Sequence, residues 1–151
     1  MILVFGAAGF IGTYLIDDLL KRKYQVVASD ISDIGETYYQ EKNIPYIRAD
    51  ITDKHSFKQL PHTQYKAVVH LAAVQPANVS EKKYDPVDYI HVNTIGILNI
   101  LEFCKKVGAE KLIYASSHRN TQGLWSKGGA IREDDGRALK YTGEYTMFSI
   151  S

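Results

Sequence analysis

Short apolar runs alternate with longer segments in which apolar residues recur every three or four positions, from residue 2 to residue 115. A short β-branched run is typical of a buried strand, whereas the longer period is typical of an amphipathic helix. Strands that alternate with helices indicate a parallel sheet covered by helices. The predicted strands span residues 2–5, 25–29, 44–48, 67–71 and 112–115.

Helices are predicted between these strands, over residues 10–23, from residue 52 or 53 to about residue 60, and over residues 87–107. Pro61 ends the second helix, because proline cannot continue the helical hydrogen-bond ladder, and Gly108 is placed to end the third. Apolar positions of the third helix form one stripe: Ile90, Ile97, Leu98, Leu101 and Cys104. The pattern predicts an α/β, Rossmann-type parallel sheet in the order 3-2-1-4-5 with flanking helices.

The regular alternation stops after Ser116. Residues 118–151 carry scattered glycines with polar and charged residues between them, and no second half of a doubly wound sheet follows. We therefore expect residues 1–151 to form a single domain whose residues 118–151 are irregular or incomplete, truncated before a substrate-binding part.

A glycine-rich turn, Gly6-Ala7-Ala8-Gly9-Phe10-Ile11-Gly12, joins the first strand to the first helix. This is the context in which glycines three residues apart bind a dinucleotide. Gly6 permits the tight turn, Gly9 lets backbone amides approach a pyrophosphate, and Gly12 lets the helix pack against the sheet. The free amides and the positive helix end would hold the diphosphate, with Ala8, Phe10 and Ile11 in the same cofactor site. A turn that serves packing alone is the alternative.

The second predicted strand ends at Asp30, 18 residues beyond Gly12. A carboxylate at this position can accept hydrogen bonds from the adenosine ribose hydroxyls of a dinucleotide. Its negative charge would also repel a 2′-phosphate, so NAD is favoured over NADP as the cofactor. A solvated turn residue is the alternative interpretation of Asp30.

Further motifs follow the glycine turn and Asp30 in a fixed order. They are Asp50-Ile51, His70-Leu71-Ala72-Ala73, Asn93 within HVNTIGILNILE, and YASS at 114–117. Over residues 1 to about 123, this series resembles the extended short-chain dehydrogenases/reductases, the NAD-dependent epimerase/dehydratase family. The resemblance implies NAD as the cofactor and a sugar or nucleotide sugar as the substrate.

The resemblance also implies roles for the residues that follow the third and fourth strands. Asp50 would hydrogen-bond the adenine ring of NAD, and Ile51 would contact that ring. Ala72 and Ala73, beside Leu71, would line the path of the diphosphate and the nicotinamide ribose. Strand packing is the alternative interpretation of the alanine pair.

Two polar positions would belong to the active site, and one of them, Asn93, is also assigned to the cofactor-binding residues. In the family, the asparagine at the position of Asn93 supports the active-site backbone, and a place on the exposed face of the helix is the alternative. Ser117 matches the family's catalytic serine or threonine, whose hydroxyl hydrogen-bonds the substrate oxygen, and Ser116 is the fallback assignment. The SSH…G sequence at 116–123 is similar to the uronate dehydrogenase branch, which reads SSNH there.

The family's tyrosine base normally has a lysine four residues later, whose charge lowers the pKa of the phenol toward neutrality. Tyr141 lies at about the right distance past Ser117, but Tyr145 stands where the lysine is required, and Ser149 follows Tyr145 at the same interval. Lys140 is adjacent to Tyr141 and would lie on a different helix face. Ser117 and Tyr141 are therefore catalytic candidates in an incomplete active site.

Three functions are compatible with this sequence. The first is an NAD-binding family member that is truncated and weakly active or inactive. The second is a module that senses NAD or pairs with another chain, such as a full-length relative. A homo-oligomer is also expected, because an unpaired edge strand and an exposed apolar helix face favour association. The third is an active uronate dehydrogenase-like enzyme in which Lys140 or a partner chain supplies the missing cation.

Composition argues against several other classes of protein. The chain has 151 residues and a formal net charge of +1, which gives no sign of nucleic-acid or anionic-membrane binding. Its single cysteine excludes an internal disulfide framework, and His55, His62 and His91 lack metal-ligand spacing, so no metal is expected. The apolar run at residues 1–5 is too short for a signal sequence, and we expect a cytoplasmic protein.

Overall fold

The structure, a computed structural model, describes residues 1–76, 85–132 and 134–135. Within these residues, five parallel strands form one sheet in the order β3-β2-β1-β4-β5, as the sequence pattern predicts. The strands are β1 Ile2–Phe5, β2 Val26–Asp30, β3 Tyr46–Arg48, β4 Ala67–His70 and β5 Leu112–Tyr114. The α/β Rossmann-type prediction is therefore confirmed.

The helices are α1 Phe10–Lys21, α2 Gly35–Glu41, α3 Pro86–Tyr89 and α4 Gly96–Val107. A π-helical turn, Ile90–Ile95, joins α3 to α4, and the three pieces replace the single helix predicted over 87–107. Two 3₁₀ segments lie at Ser56–Gln59 and His118–Lys127. No helix of the described residues is long and apolar enough to cross a membrane.

Alternate residues of each strand face opposite sides of the sheet, and each side is covered by helices. Leu3 and Phe5 pack in one cluster with Ile100 of α4. Ile2 and Val4 pack in the other cluster, with residues of α1 and α2. The central strands β1, β2 and β4 therefore form the middle layer of three, as expected for parallel strands buried on both faces, whereas the edge strands β3 and β5 are partly exposed.

Helix α4 ends at Val107, and its C-cap Gly108 has the left-handed conformation (φ 64°) that is common at helix ends, in agreement with the predicted stop. The next amide, that of Ala109, donates to the Cys104 carbonyl at 2.9 Å. The predicted apolar stripe divides between two sides of α4. Cys104 is buried, whereas Leu98 and Leu101 are about half exposed. Buried positions on this helix also include Asn99 and Phe103.

Two further local features differ from the predictions. The helix predicted from residue 52 or 53 is only the 3₁₀ turn Ser56–Gln59. The Asp53 carboxylate accepts from the His55 amide, and the Ser56 hydroxyl donates to the Asp50 carbonyl. Such local side-chain bonds compete with helical hydrogen bonding. Helix α2 was not predicted, because its sequence GETYYQE has no apolar period.

Candidate functional site

The glycine turn begins at Gly6, which leaves β1 with φ +80°. A Cβ at this position would lie 2.5 Å from the amide nitrogen of Ala72 and 2.7 Å from the carbonyl carbon of Leu71. No side chain fits there, because both neighbours are backbone atoms that cannot move aside. The turn after β1 and the segment after β4 are thus in direct backbone contact.

Gly12 fixes the first turn of α1 against the same loop. A Cβ at Gly12 would lie 2.2 Å from the Gly6 carbonyl oxygen and 2.8 Å from that of Ala7. Gly9 is the N-cap of α1 and has no side-chain cap, and the first turn of the helix carries no acidic residue. The first amides of α1 and the positive end of its dipole are therefore not offset by a side chain.

Asp30 connects the glycine turn to the end of β2. One carboxylate oxygen accepts from the Ala8 amide at 3.0 Å, and the other accepts from the Ser32 amide at 3.0 Å. Each carboxylate oxygen has a second lone pair, so both can still accept from a ligand. The residue predicted to bind ribose hydroxyls therefore also holds the turn in place.

The end of β3 brings Asp50 and Ile51 to the neighbouring position. One Asp50 carboxylate oxygen accepts from both the amide and the hydroxyl of Thr52, at 2.8 Å each. Ile51 is buried against α4, where a Cβ at Gly96 would lie 2.6 Å from the Ile51 side chain. The buried amide of Asn99 donates to the Ile51 carbonyl at 2.8 Å. Asn99 was not singled out from sequence.

Asn93 lies in the π turn and is buried. Its side-chain oxygen accepts from the Val74 amide at 2.9 Å, and its side-chain nitrogen donates to the Val74 carbonyl at 3.2 Å. The alternative of an exposed Asn93 is therefore wrong. The side chain holds the backbone of the segment that follows β4, where the π turn widens the helix toward it.

These elements surround a cavity of about 790 Å³ at the carboxyl ends of β1, β2, β3 and β4. Ligands bind at this edge in open α/β sheets. The residues predicted to bind the cofactor that line the cavity are Gly6, Gly9, Phe10, Ile11, Asp30, Asp50, Ile51, Leu71, Ala72 and Ala73.

Three predicted cofactor residues do not line the cavity. Ala8 and Gly12 fix the shape of the glycine turn, and Asn93 supports the wall of the cavity. Lining residues that sequence reasoning missed include Ile31, Gln75 and Asp88. Asp88 precedes the π turn, and its carboxylate accepts from the Asp85 amide as part of a helix-capping pair. No spacing rule would have indicated its position beside the cavity.

His70, the last residue of β4, belongs to the predicted motif at 70–73, but its buried environment was not predicted. It is 1% exposed, and burial lowers its pKa to about 4. The described residues provide no hydrogen-bond partner for either ring nitrogen, and the ring lies 5.5 Å from that of Tyr114. His70 is therefore neutral at physiological pH, and it lies two residues before Ala72 in the chain.

The predicted catalytic residues are only partly described. Ser117 is half buried and follows β5, one residue before the 3₁₀ segment His118–Lys127. It is not among the residues that line the cavity. Tyr141 and Lys140 lie outside the described residues. Within the described residues, no group of three or more His, Cys, Asp or Glu is placed to hold a metal ion.

A family model described as the NAD dependent epimerase/dehydratase family matches residues 2–134. The UDP-N-acetyl-alpha-D-glucosaminuronate decarboxylase of Bacillus cytotoxicus is 37% identical over 139 residues. That match covers 89% of this chain and 41% of the decarboxylase. The sequence likeness therefore extends well beyond the glycine turn.

Two solved structures resemble the chain in fold. The UDP-glucose 4-epimerase of Thermus thermophilus, in complex with NAD, matches 98% of this chain and 46% of its own, with a TM-score of 0.78 and 33% identity. A mutated uronate dehydrogenase matches 99% of this chain and 48% of its own, with a TM-score of 0.77. At 23% identity, that likeness concerns the fold alone.

The chain spans less than half the length of each of these three proteins. The family model nevertheless covers nearly all of it, and the sheet order and glycine turn agree with that match. This chain belongs to the NAD-dependent epimerase/dehydratase family of extended short-chain dehydrogenases/reductases and corresponds to the N-terminal portion of its members.

Proposed function

We propose that this chain binds NAD in the cavity beside the Gly6–Gly12 turn. The observation that carries the proposal is the close approach of Gly6 to the Ala72 backbone, directly beside about 790 Å³ of open space. Packing alone would not require a cavity at such a turn. The volume lies within the range of small-molecule and cofactor sites.

The cofactor's pyrophosphate would lie at the start of α1, where the first amides are not capped by a side chain. Asp30 would accept from the adenosine ribose hydroxyls, and Asp50 and Ile51 would border the adenine. Ala72 and Ala73 would leave room for the diphosphate and the nicotinamide ribose, since larger side chains would enter the cavity that these residues line.

The substrate of this site is a sugar or a nucleotide sugar. Support comes from two relatives, one a decarboxylase of a UDP-linked sugar and the other a UDP-glucose 4-epimerase. Bound NAD would supply a hydride acceptor. Ser117 would hydrogen-bond the substrate oxygen, and Tyr141 would accept the proton from the substrate hydroxyl. With no lysine four residues after Tyr141, the 151 residues alone turn over substrate slowly or not at all.

Calorimetric titration of the purified chain with NAD tests the cofactor proposal, with circular dichroism to establish that the sample is folded. We expect saturable binding of one NAD per chain and little conversion of UDP-glucose or glucuronate. A folded chain without affinity for NAD would overturn the proposal. Rapid NADH formation from glucuronate would contradict the expected low turnover. Loss of that activity in Lys140→Ala would indicate that Lys140 supplies the missing cation.

A second candidate function, pairing with a second copy of the chain, rests on the outer side of the long helical segment. An exposed stripe runs along this side: Ile95, Leu98 and Leu101, which are 39%, 53% and 46% exposed. Residues three apart are neighbours on a helix surface, so the stripe is continuous. Apolar surface of this kind favours association.

The charges at the two ends of this helical segment favour an antiparallel pair. Asp85 and Asp88 lie at its start, and Lys105 and Lys106 lie in its last turn. Two copies packed antiparallel through the exposed stripe would place each acidic end beside the partner's basic end. The two helix dipoles would also oppose each other favourably.

Sedimentation velocity over a range of chain concentrations tests this pairing. We expect a dimer for the unaltered chain and a monomer for Leu98→Lys, which places a charge in the exposed stripe. Ile34→Lys is the matched control, because Ile34 is 79% exposed at the start of α2. A monomer at high concentration, or a dimer that survives Leu98→Lys, would contradict the pairing.

A further inference from the structure

Arg48, the last residue of β3, has not been assigned a role in the candidate site. In the sheet register it is the direct partner of Asp30 at the end of β2. Paired residues on neighbouring parallel strands lie on the same face, about 5 Å apart. The guanidinium is therefore carried on the same side of the sheet as the carboxylate predicted to bind the adenosine ribose.

The Arg48 side chain is exposed and is fixed at one end. Its Nε donates to the Ile31 carbonyl oxygen at 2.8 Å, and Ile31 is the residue directly after Asp30. The Ile31 side chain is 58% exposed and lines the cavity. This bond uses one of the five guanidinium N–H groups, which leaves those of the two terminal nitrogens to donate to a ligand. Arg48 itself does not line the cavity, but its neighbour Ala49 does.

The charge of Asp30 is partly offset before any ligand arrives. Both of its carboxylate oxygens already accept from backbone amides, those of Ala8 and Ser32. A 2′-phosphate beside Asp30 would therefore meet a hydrogen-bonded carboxylate together with a neighbouring guanidinium. Arginine pairs with phosphate through two parallel hydrogen bonds, and a nearby arginine is a known means of accommodating this phosphate.

We propose that Arg48 forms a 2′-phosphate subsite beside Asp30, so that the chain binds NADP as well as NAD. This inference rests on the proposed nucleotide function and goes beyond it, because Asp30 alone predicts rejection of NADP. NAD stays the tighter ligand, since Asp30 still accepts from its free 2′-hydroxyl.

The pKa of the Tyr46 phenol reflects both acidic groups and Arg48 near the ends of β2 and β3. Burial, with the carboxylates of Asp30 and Glu36, raises the pKa of Tyr46 to about 12, and Arg48 opposes that shift. Arg48 and these acidic groups thus all act on the Tyr46 phenol, with opposite effects on its pKa. Without the charge of Arg48, the charged groups that act on Tyr46 would all be acidic and would disfavour a phosphate.

Calorimetric titrations with NAD and with NADP test the subsite in the unaltered chain and in Arg48→Gln. Glutamine removes the charge and keeps an N–H that can donate to the Ile31 carbonyl. We expect NADP to bind the unaltered chain within about tenfold of NAD. Arg48→Gln should lose at least tenfold in NADP affinity and less than twofold in NAD affinity. Arg48→Lys should fall between the two, because it keeps the charge without the planar fork.

Arg22→Ala is the matched control. Arg22 is an exposed arginine just past the end of α1, paired with Asp18, and its replacement should leave both affinities unchanged. Absence of NADP binding in the unaltered chain, or an equal loss of NAD and NADP in Arg48→Gln, would overturn the subsite. Absence of binding by either dinucleotide to the folded chain would instead overturn the proposed function itself.

Discussion

Asn93 and Val74 exchange two hydrogen bonds, at 2.9 Å and 3.2 Å, between a buried side-chain amide and the backbone of the segment after β4. The same segment provides Ala72, which lies against Gly6. One buried asparagine therefore holds the part of the cavity wall that lies against the glycine turn.

Asn93→Ala should destabilise the fold by about 2 kcal/mol, because it leaves the amide and carbonyl of Val74 without the partners they have here. NAD affinity should fall by more than the loss of folded protein explains. Thermal unfolding and calorimetry with NAD measure the two effects. His91→Ala, an exposed change in the same π turn, should alter neither quantity. Normal NAD affinity in a folded Asn93→Ala chain would exclude a supporting role.

Gly6→Ala should abolish NAD binding and destabilise the chain severely. The new Cβ would overlap the backbone of Ala72 in addition to the strain of a positive φ. Gly108→Ala separates these two effects, because Gly108 has φ +64° with nothing within 4 Å of its Cβ position. It should cost only about 1 kcal/mol, measured by urea unfolding, and leave NAD binding intact. Similar losses at both positions would contradict the close approach inferred at Gly6.

The stability of the chain should fall as the pH drops from about 6.5 to about 4. The pKa of His70 is lowered to about 4 by burial, so in this window the unfolded chain binds a proton at His70 that the folded chain does not. The expected loss is about 3 kcal/mol at most, from a displacement of roughly two and a half pKa units.

Urea unfolding at a series of pH values measures this effect. His70→Phe should flatten the slope between pH 6.5 and pH 4, since it removes the titrating group. His91→Gln, at an exposed histidine, should keep the slope of the unaltered chain. An unchanged slope in His70→Phe would show that other groups cause the acid sensitivity.

Tyr39→Phe should weaken NAD binding several-fold, with a stability loss of about 1 kcal/mol. The buried Tyr39 hydroxyl donates to the Ala7 carbonyl at 2.6 Å and so ties α2 to the glycine turn. Tyr65→Phe is a matched control, because the Tyr65 hydroxyl donates to the Pro61 carbonyl at 2.7 Å in the other hydrophobic cluster. Its stability loss should be similar, with NAD affinity unchanged. Equal NAD affinities in the two variants would contradict the link through Ala7.

The sheet and the glycine turn were predictable because their signals are local. Four apolar residues followed by glycines at 6, 9 and 12 predict both a buried strand and the tight turn that comes after it. The sheet order then followed from the Rossmann-type alternation of strands and helices. Asp30 was predictable for the same reason, since it directly ends an apolar run.

The rest of the site depends on contacts between distant segments. Asn99 bonds to the Ile51 carbonyl, 48 residues away in sequence, and its place in an amphipathic helix gives no sign of that partner. Arg48 gains its meaning only from the register that sets it beside Asp30. Helix α2 has no apolar period, and it is held instead by Tyr39 against the turn.

The π turn at Ile90–Ile95 determines how α3 is rotated about the helix axis relative to α4. Each residue of an α-helix turns the chain by about 100°, so a one-residue deletion at Thr94 that restored regular α-helix would rotate everything before it relative to α4. Asn93 would then swing away from Val74, while Ile100 could stay in the core. The extra residue in the π turn rotates the first part of the helical segment relative to α4. Because of this rotation, α4 can pack in the core while Asn93 faces Val74 at the wall of the cavity.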